Sequence, residues 1–258
     1  MVSIIILVQD RYNEVKRCVE SILEKTFHTQ YELVIIMQSV KDQRIIELIE
    51  NLPCRKTIAY NEVNTGVTPG RNQGMLLSKG EYLLFFDDDA YVSEELQSIP
   101  EEIHSIDWLG RMMLPYAYDI DLGIVSQSGS YINPFRPGVF WSNLPRNTYC
   151  DVGQGYCFFF SRKVMDSIGL LDETFGKFWH EESEYSLRAK KAGFKVLSCD
   201  YIGVTHVGSS SGDDGSYGRK IDYMFRKWQR DFDTILEFPA GKWINNGERP
   251  DFENKGSS

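Results

Sequence analysis

Residues 3–8 (SIIILV) form a β-branched run with no alternation of apolar and polar positions, and this narrows the fold more than any other feature. Such a strand has to be buried on both faces, which a sheet with one wet side does not offer. Residues 32–37 and 82–86 repeat the pattern, and 56–60 reads as a further strand. Between them the spacing turns helical. Residues 13–25 place Val15, Cys18, Val19, Ile22 and Leu23 on one stripe with Arg17 and Glu24 outside it, and 44–51 forms a second helix. Thr68 is expected to cap a third helix, with Pro69 at its first position and an end near Gly80. This rhythm predicts an α/β fold with a mostly parallel, Rossmann-like central sheet, helices on both faces, and ligands at the carboxyl ends of the strands.

The second half is less regular. Residues 116–146 are rich in Gly, Pro, Ser and Asn and read as short strands mixed with loops. Residues 156–161 form an apolar strand, 162–168 a helix stopped by Gly169, 181–192 a helix stopped by Gly193, and 195–198 another strand. Beyond Phe238 the chain is polar and proline-punctuated, so 1–238 is expected as one domain and 239–258 as a tail.

Composition excludes several classes. A net charge of −9 argues against nucleic acid as a partner. No run of 18 apolar residues suggests a transmembrane segment, and Met1–Leu7 is too short and uncharged for a signal peptide. Cys18, Cys54, Cys150, Cys157 and Cys199 are odd in number and scattered, as expected of reduced thiols in a cytoplasmic protein.

The chemistry concentrates where the strands end. Glu81-Tyr82-Leu83-Leu84-Phe85-Phe86-Asp87-Asp88-Asp89 is a buried strand running into three adjacent carboxylates. In an extended chain Asp87 and Asp89 face one side and Asp88 the other. Hard oxygen ligands in that number suit Mg²⁺ or Mn²⁺ holding a diphosphate, a solvated acidic turn being the alternative. The loop from Gly66 to Asn72 enters a helix whose free backbone amides and dipole favour a phosphate, with Arg71 in the first turn as its partner. Glu181, Glu182 and Glu184 crowd the first turn of another helix. Dipole complementarity explains one or two of them, and a carboxylate there also suits deprotonation of a hydroxyl. Trp179 and His180 suit an acceptor pocket, core packing being the alternative for Trp179. Residues 219–232 place Ile221, Met224, Phe225, Trp228 and Phe232 on one face, with Arg219, Lys220, Arg226, Lys227 and Arg230 elsewhere. Such a helix suits peripheral contact with an anionic membrane or docking on the protein's own core.

From about Ser3 to Ser211 these features resemble a family 2 glycosyltransferase of the GT-A fold. Asn64-Thr65-Gly66-Val67-Thr68-Pro69-Gly70-Arg71-Asn72-Gln73-Gly74 is similar to the family's N-x-G-x-x-x-x-R-N-x-G loop, and Phe86-Asp87-Asp88-Asp89 to its D-x-D. His180-Glu181-Glu182-Ser183-Glu184-Tyr185-Ser186-Leu187-Arg188 followed by Ala192-Gly193-Phe194 resembles its acidic helix, and Val204-Thr205-His206 its downstream histidine. The resemblance implies an inverting, metal-dependent transfer of a sugar from a nucleoside-diphosphate sugar to a glycan, lipid-linked or other acceptor hydroxyl, at the inner face of the membrane or free in the cytoplasm. Residues 1–115 would hold the donor and 116–238 the acceptor. It places the base at Glu182 and the metal on Asp87, Asp89 and His206, the imidazole tilting the choice towards Mn²⁺. It puts the donor on Val8, Asp10, Gln38, Gly66, Arg71, Asp87 and Asp88, and the acceptor by Gly155, Trp179, His180 and Glu181. The family's Tyr-Asn and Asp-Asn pairs are here Gln9-Asp10 and Met37-Gln38, which leaves UDP, dTDP, GDP and CDP donors open. A non-catalytic module binding sugar nucleotide or glycan, and a nucleotidyltransferase, are the alternatives.

Overall fold

The computed structural model describes all residues except 94–98, 143, 146, 178–179, 209–214, 245–246 and 252–258. The first half runs β1 (Val2–Val8), α1 (Tyr12–Lys25), β2 (Tyr31–Gln38), α2 (Gln43–Glu50), β3 (Lys56–Asn61), α3 (Val67–Leu77), β4 (Tyr82–Phe86) and β5 (Ala90–Val92). A short helix α4 (Trp108–Met113) leads to the strands β6 (Leu122–Ser126), β7 (Gly129–Ile132), β8 (Phe140–Trp141), β9 (Thr148–Tyr149), β10 (Val152–Gly153) and β11 (Cys157–Ser161). There follow α5 (Arg162–Ile168), α6 (Glu181–Lys191), β12 (Lys195–Ser198), β13 (Val204–His206), α7 (Tyr217–Trp228) and α8 (Phe232–Ile235), then β14 (Trp243–Ile244) and β15 (Arg249–Pro250).

Eight strands form the central sheet in the order β3-β2-β1-β4-β11-β6-β12-β9. Its first four strands are mutually parallel, β11 runs antiparallel between β4 and β6, and β12 is again parallel to β6. The two-sided burial expected of β1 follows from its neighbours. Ile4, Ile6 and Val8 share one core cluster with Val15 and Cys18 of α1 and Ile45 of α2, while Ile5 belongs to a second cluster with Met75 of α3 and Tyr185 of α6. Helix α3 lies so close to β1 that a Cβ on Gly74 would stand 2.3 Å from Ile5 Cγ2. Ile5 is held in the middle of the sheet, so Gly74→Ala is expected to cost about 1–3 kcal/mol. A lower denaturant midpoint at unchanged m-value would register it.

Two expectations are corrected here. Thr68 lies inside α3, and the cap position is Gly66, whose φ of +93° suits glycine. Of the two readings open for residues 219–232, the apolar face of α7 takes the docking on the protein's own core. Ile221, Met224, Phe225 and Trp228 are buried against Ile132, Phe175 and Leu187, and Lys227 pairs with Asp172 and Glu184. The segment expected as a tail also holds structure, because β14 and β15 pair and Asn133 Nδ2 donates to the Gly247 carbonyl at 2.6 Å. All five cysteines are free thiols. Among the described residues no helix is long and apolar enough to cross a membrane.

Candidate active site

The three aspartates follow β4 in a turn closed by the Ala90 N–H on the Asp87 carbonyl at 3.0 Å. The chain bends where an extended strand was expected, yet the side chains divide as anticipated. Asp88 turns inward, accepts the Gln9 N–H at 3.0 Å and pairs with Arg11. Burial pushes its carboxyl up to about 7, with Arg11 working in the opposite direction. Asp87 and Asp89 meet His206, which strand pairing between β13 and β5 sets opposite Ala90. His206 Nε2 lies 3.1 Å from Asp89 Oδ1 and 4.0 Å from Asp87 Oδ2, and the three groups offer ligand atoms within 4.8 Å of one another. The hydrogen bond to Asp89 raises the pKa of His206. Two carboxylate oxygens and one imidazole nitrogen converging on one point fit a divalent cation of the Mn²⁺ or Mg²⁺ type.

Arg71 on α3 joins this turn to the acidic helix. Its Nη2 donates to Asp87 Oδ1 at 2.9 Å and to the Gly155 carbonyl at 2.8 Å, and its Nη1 donates to Glu181 Oε1 at 2.9 Å. Burial opposes its charge, but the Asp87, Glu181 and Glu182 carboxylates raise its pKa. Expected as a diphosphate ligand, Arg71 instead faces carboxylates and is only 4% exposed. Carboxylates brought this close out of water need a counter-charge among them.

On α6, Glu181 is buried and its Oε2 has no hydrogen-bond partner. Glu182 is half-buried, and burial followed by the Glu181 charge pushes its carboxyl up to about 8. Glu184 is wholly buried and pairs with Arg188 and Lys227, so one of the three acidic residues is structural. His180 precedes the helix at φ +71°, and its ring stacks on Phe140 at 5.5 Å. Its buried Nε2 has no hydrogen-bond partner, and burial lowers its pKa to about 4. Trp179, expected beside it, lies outside the described residues.

Several of the residues expected around the donor already have partners within the chain. The amides at the start of α3 are not free: Val67 N–H donates to the Lys177 carbonyl and Thr68 N–H to the Gly176 carbonyl, both at 3.1 Å. Pro69 has no N–H, so this helix start offers no phosphate cradle. Gly66 packs there against Lys177. Gln38 is also engaged, donating to Thr65 Oγ1 and the Gly66 carbonyl and accepting from Thr65 N–H. Asp10 accepts the Lys41 and Asp42 N–H groups, and Val8 is wholly buried in the core. Arg11, paired with both Asp88 and Asp89, was missed by the sequence reading.

Residues 3–169 match glycosyl transferase family 2. The chain belongs to that family. An uncharacterized glycosyltransferase of Haemophilus influenzae is 33% identical over 104 residues, which cover 40% of this chain and 34% of that relative. The chain spans only 34%, 28% and 14% of the lengths of the curated relatives it matches. Two solved structures share the fold. The mannosyltransferase PcManGT of Pyrobaculum calidifontis, in complex with GDP-Man and Mn²⁺, superposes with a TM-score of 0.62 at 14% identity, over 89% of this chain and 64% of its own. GalNAc-T7, with UDP, GalNAc and Mn²⁺, gives 0.69 at 16% identity, over 90% and 49%. The fold is the GT-A fold that the motif order predicts.

Proposed function

We propose that this chain transfers a sugar, with inversion, from a nucleoside-diphosphate sugar to an acceptor hydroxyl, with Asp87, Asp89 and His206 holding Mn²⁺ or Mg²⁺. The observation that carries this reading is the buried guanidinium of Arg71, bonded at once to Asp87 of the cation cluster and Glu181 of the acidic helix. It ties the cation site to the start of the acidic helix, where the next residue, Glu182, carries the carboxylate of raised pKa. The nucleotide sugars or nucleotides and Mn²⁺ bound by PcManGT and GalNAc-T7 support the choice of donor and cation.

A bound divalent cation would stabilise the leaving diphosphate as a Lewis acid. The chain's own residues handle the acceptor. The acceptor oxygen bonds to the anomeric carbon as that carbon's bond to the diphosphate oxygen breaks, its electron pair leaving with the nucleoside diphosphate. The hydroxyl proton passes to a carboxylate oxygen of Glu182. Glu181 and His180, beside Glu182 at the start of α6, are assigned to the acceptor side of the site. Product analysis tests the reading: with the right donor, acceptor and Mn²⁺, free nucleoside diphosphate is expected, and chelator should stop its release. Pyrophosphate as product would make the chain a nucleotidyltransferase, and absence of turnover with every donor would leave a binding module.

A further inference from the structure

Tyr156 touches two of the three residues assigned to the cation and belongs to none of the motifs. It stands just before β11, whose antiparallel register sets Cys157 opposite Phe86 of β4. That register lets the Tyr156 carbonyl accept the Asp87 N–H at 3.1 Å. The ring turns the other way and lies flat on the His206 imidazole, with centroids 4.6 Å apart and planes 3° from parallel. Its hydroxyl is anchored at the far edge by Ser128 Oγ at 2.9 Å. His206 needs such a plate. It ends a strand of only three residues, and 33% of its side chain is exposed. An exposed imidazole at a strand end exchanges rotamers readily, and every rotamer lost on binding a cation weakens that binding.

We propose that Tyr156 is a positioning residue for the cation site, its ring holding the His206 imidazole in the ligating orientation while its backbone fixes Asp87. The inference rests on reading Asp87, Asp89 and His206 as that site. It assigns the effect to the aromatic face, since the hydroxyl is engaged by Ser128.

Mn²⁺ titration calorimetry tests it on the whole chain, with Tyr156→Phe and Tyr156→Leu each made alone and in a His206→Ala background. Tyr156→Phe keeps the ring and should bind within about twofold of wild type. Tyr156→Leu should weaken binding roughly threefold to tenfold, the usual range for an aromatic pair. In the His206→Ala background the leucine change should have no further effect. A metal-free readout separates this proposal from the cation site itself. Ring current should shift the His206 Hδ2 and Hε1 resonances in wild type and Tyr156→Phe, and the shift should vanish in Tyr156→Leu. Wild-type Mn²⁺ affinity in Tyr156→Leu, a phenylalanine variant as weak as the leucine one, or an equal loss without His206 would overturn the proposal. Retained ring-current shifts with no Mn²⁺ binding by wild type would instead reject the cation site, and Tyr156's role with it.

Discussion

Asp89→Ala is expected to abolish transfer, by about a thousandfold or more, while the protein stays folded. A catalytic cation contributes several kcal/mol of transition-state stabilisation, and each 1.36 kcal/mol is about tenfold in rate. Asp89 supplies one of only two carboxylates in the cluster, and the other, Asp87, is already shared with Arg71. Removing Asp89 also takes away the 3.1 Å partner that orients His206 Nε2. The turn itself should survive, because Asp88 keeps the Gln9 N–H and Arg11, and Ala90 N–H still closes on the Asp87 carbonyl. Transfer assayed at saturating Mn²⁺, beside an unchanged circular dichroism spectrum, checks both halves. Undiminished activity in chelator would contradict the assignment.

Glu182→Gln should lower transfer by about a hundredfold or more, because the amide keeps the size and hydrogen bonding of the side chain but accepts no proton. Donor binding should scarcely change. Glu181→Gln acts differently: it leaves the buried Arg71 guanidinium with one carboxylate fewer, so stability falls more than chemistry does. The pH profile carries the same signature. A base must be ionised, and burial together with the Glu181 charge holds the Glu182 carboxyl up to about 8. Hence kcat/KM should rise with pH through that region and fall below it, and the rising limb should disappear in Glu182→Gln. A variant with near-wild-type transfer, or a reversal of the two glutamates' effects, would move the base away from Glu182.

The strand order at the head of the chain was legible because β1, β2 and β4 announce two-sided burial in their own residues. The aspartates of the cluster were legible too, as carboxylates at a strand end, whereas His206 joined them only through the family resemblance. What stayed hidden was direction. Arg71 reads as a phosphate ligand until tertiary packing brings Glu181, 110 residues away, into hydrogen-bond contact. The amides of α3 read as free until the chain at Gly176 and Lys177 returns to occupy them. Gln38 looks poised for a base, yet its amide holds the loop at Thr65 and Gly66. Periodicity reports which face is apolar, and α7 shows that it does not report what covers that face. Arg11 did leave a signal: a guanidinium at the carboxyl end of β1, beside the strand whose own end carries three carboxylates.

Thermal unfolding of the whole chain against a panel of nucleoside-diphosphate sugars, each with Mn²⁺ and with chelator, tests the union of donor, cation and cluster most directly. At about a hundredfold excess over Kd, one donor should raise Tm by about 5 °C or more with Mn²⁺. Chelator or Asp89→Ala should abolish that rise, and Glu182→Gln should preserve it. No shift from any donor with Mn²⁺, or the same shift in chelator, would contradict a metal-held nucleotide sugar at Asp87, Asp89 and His206.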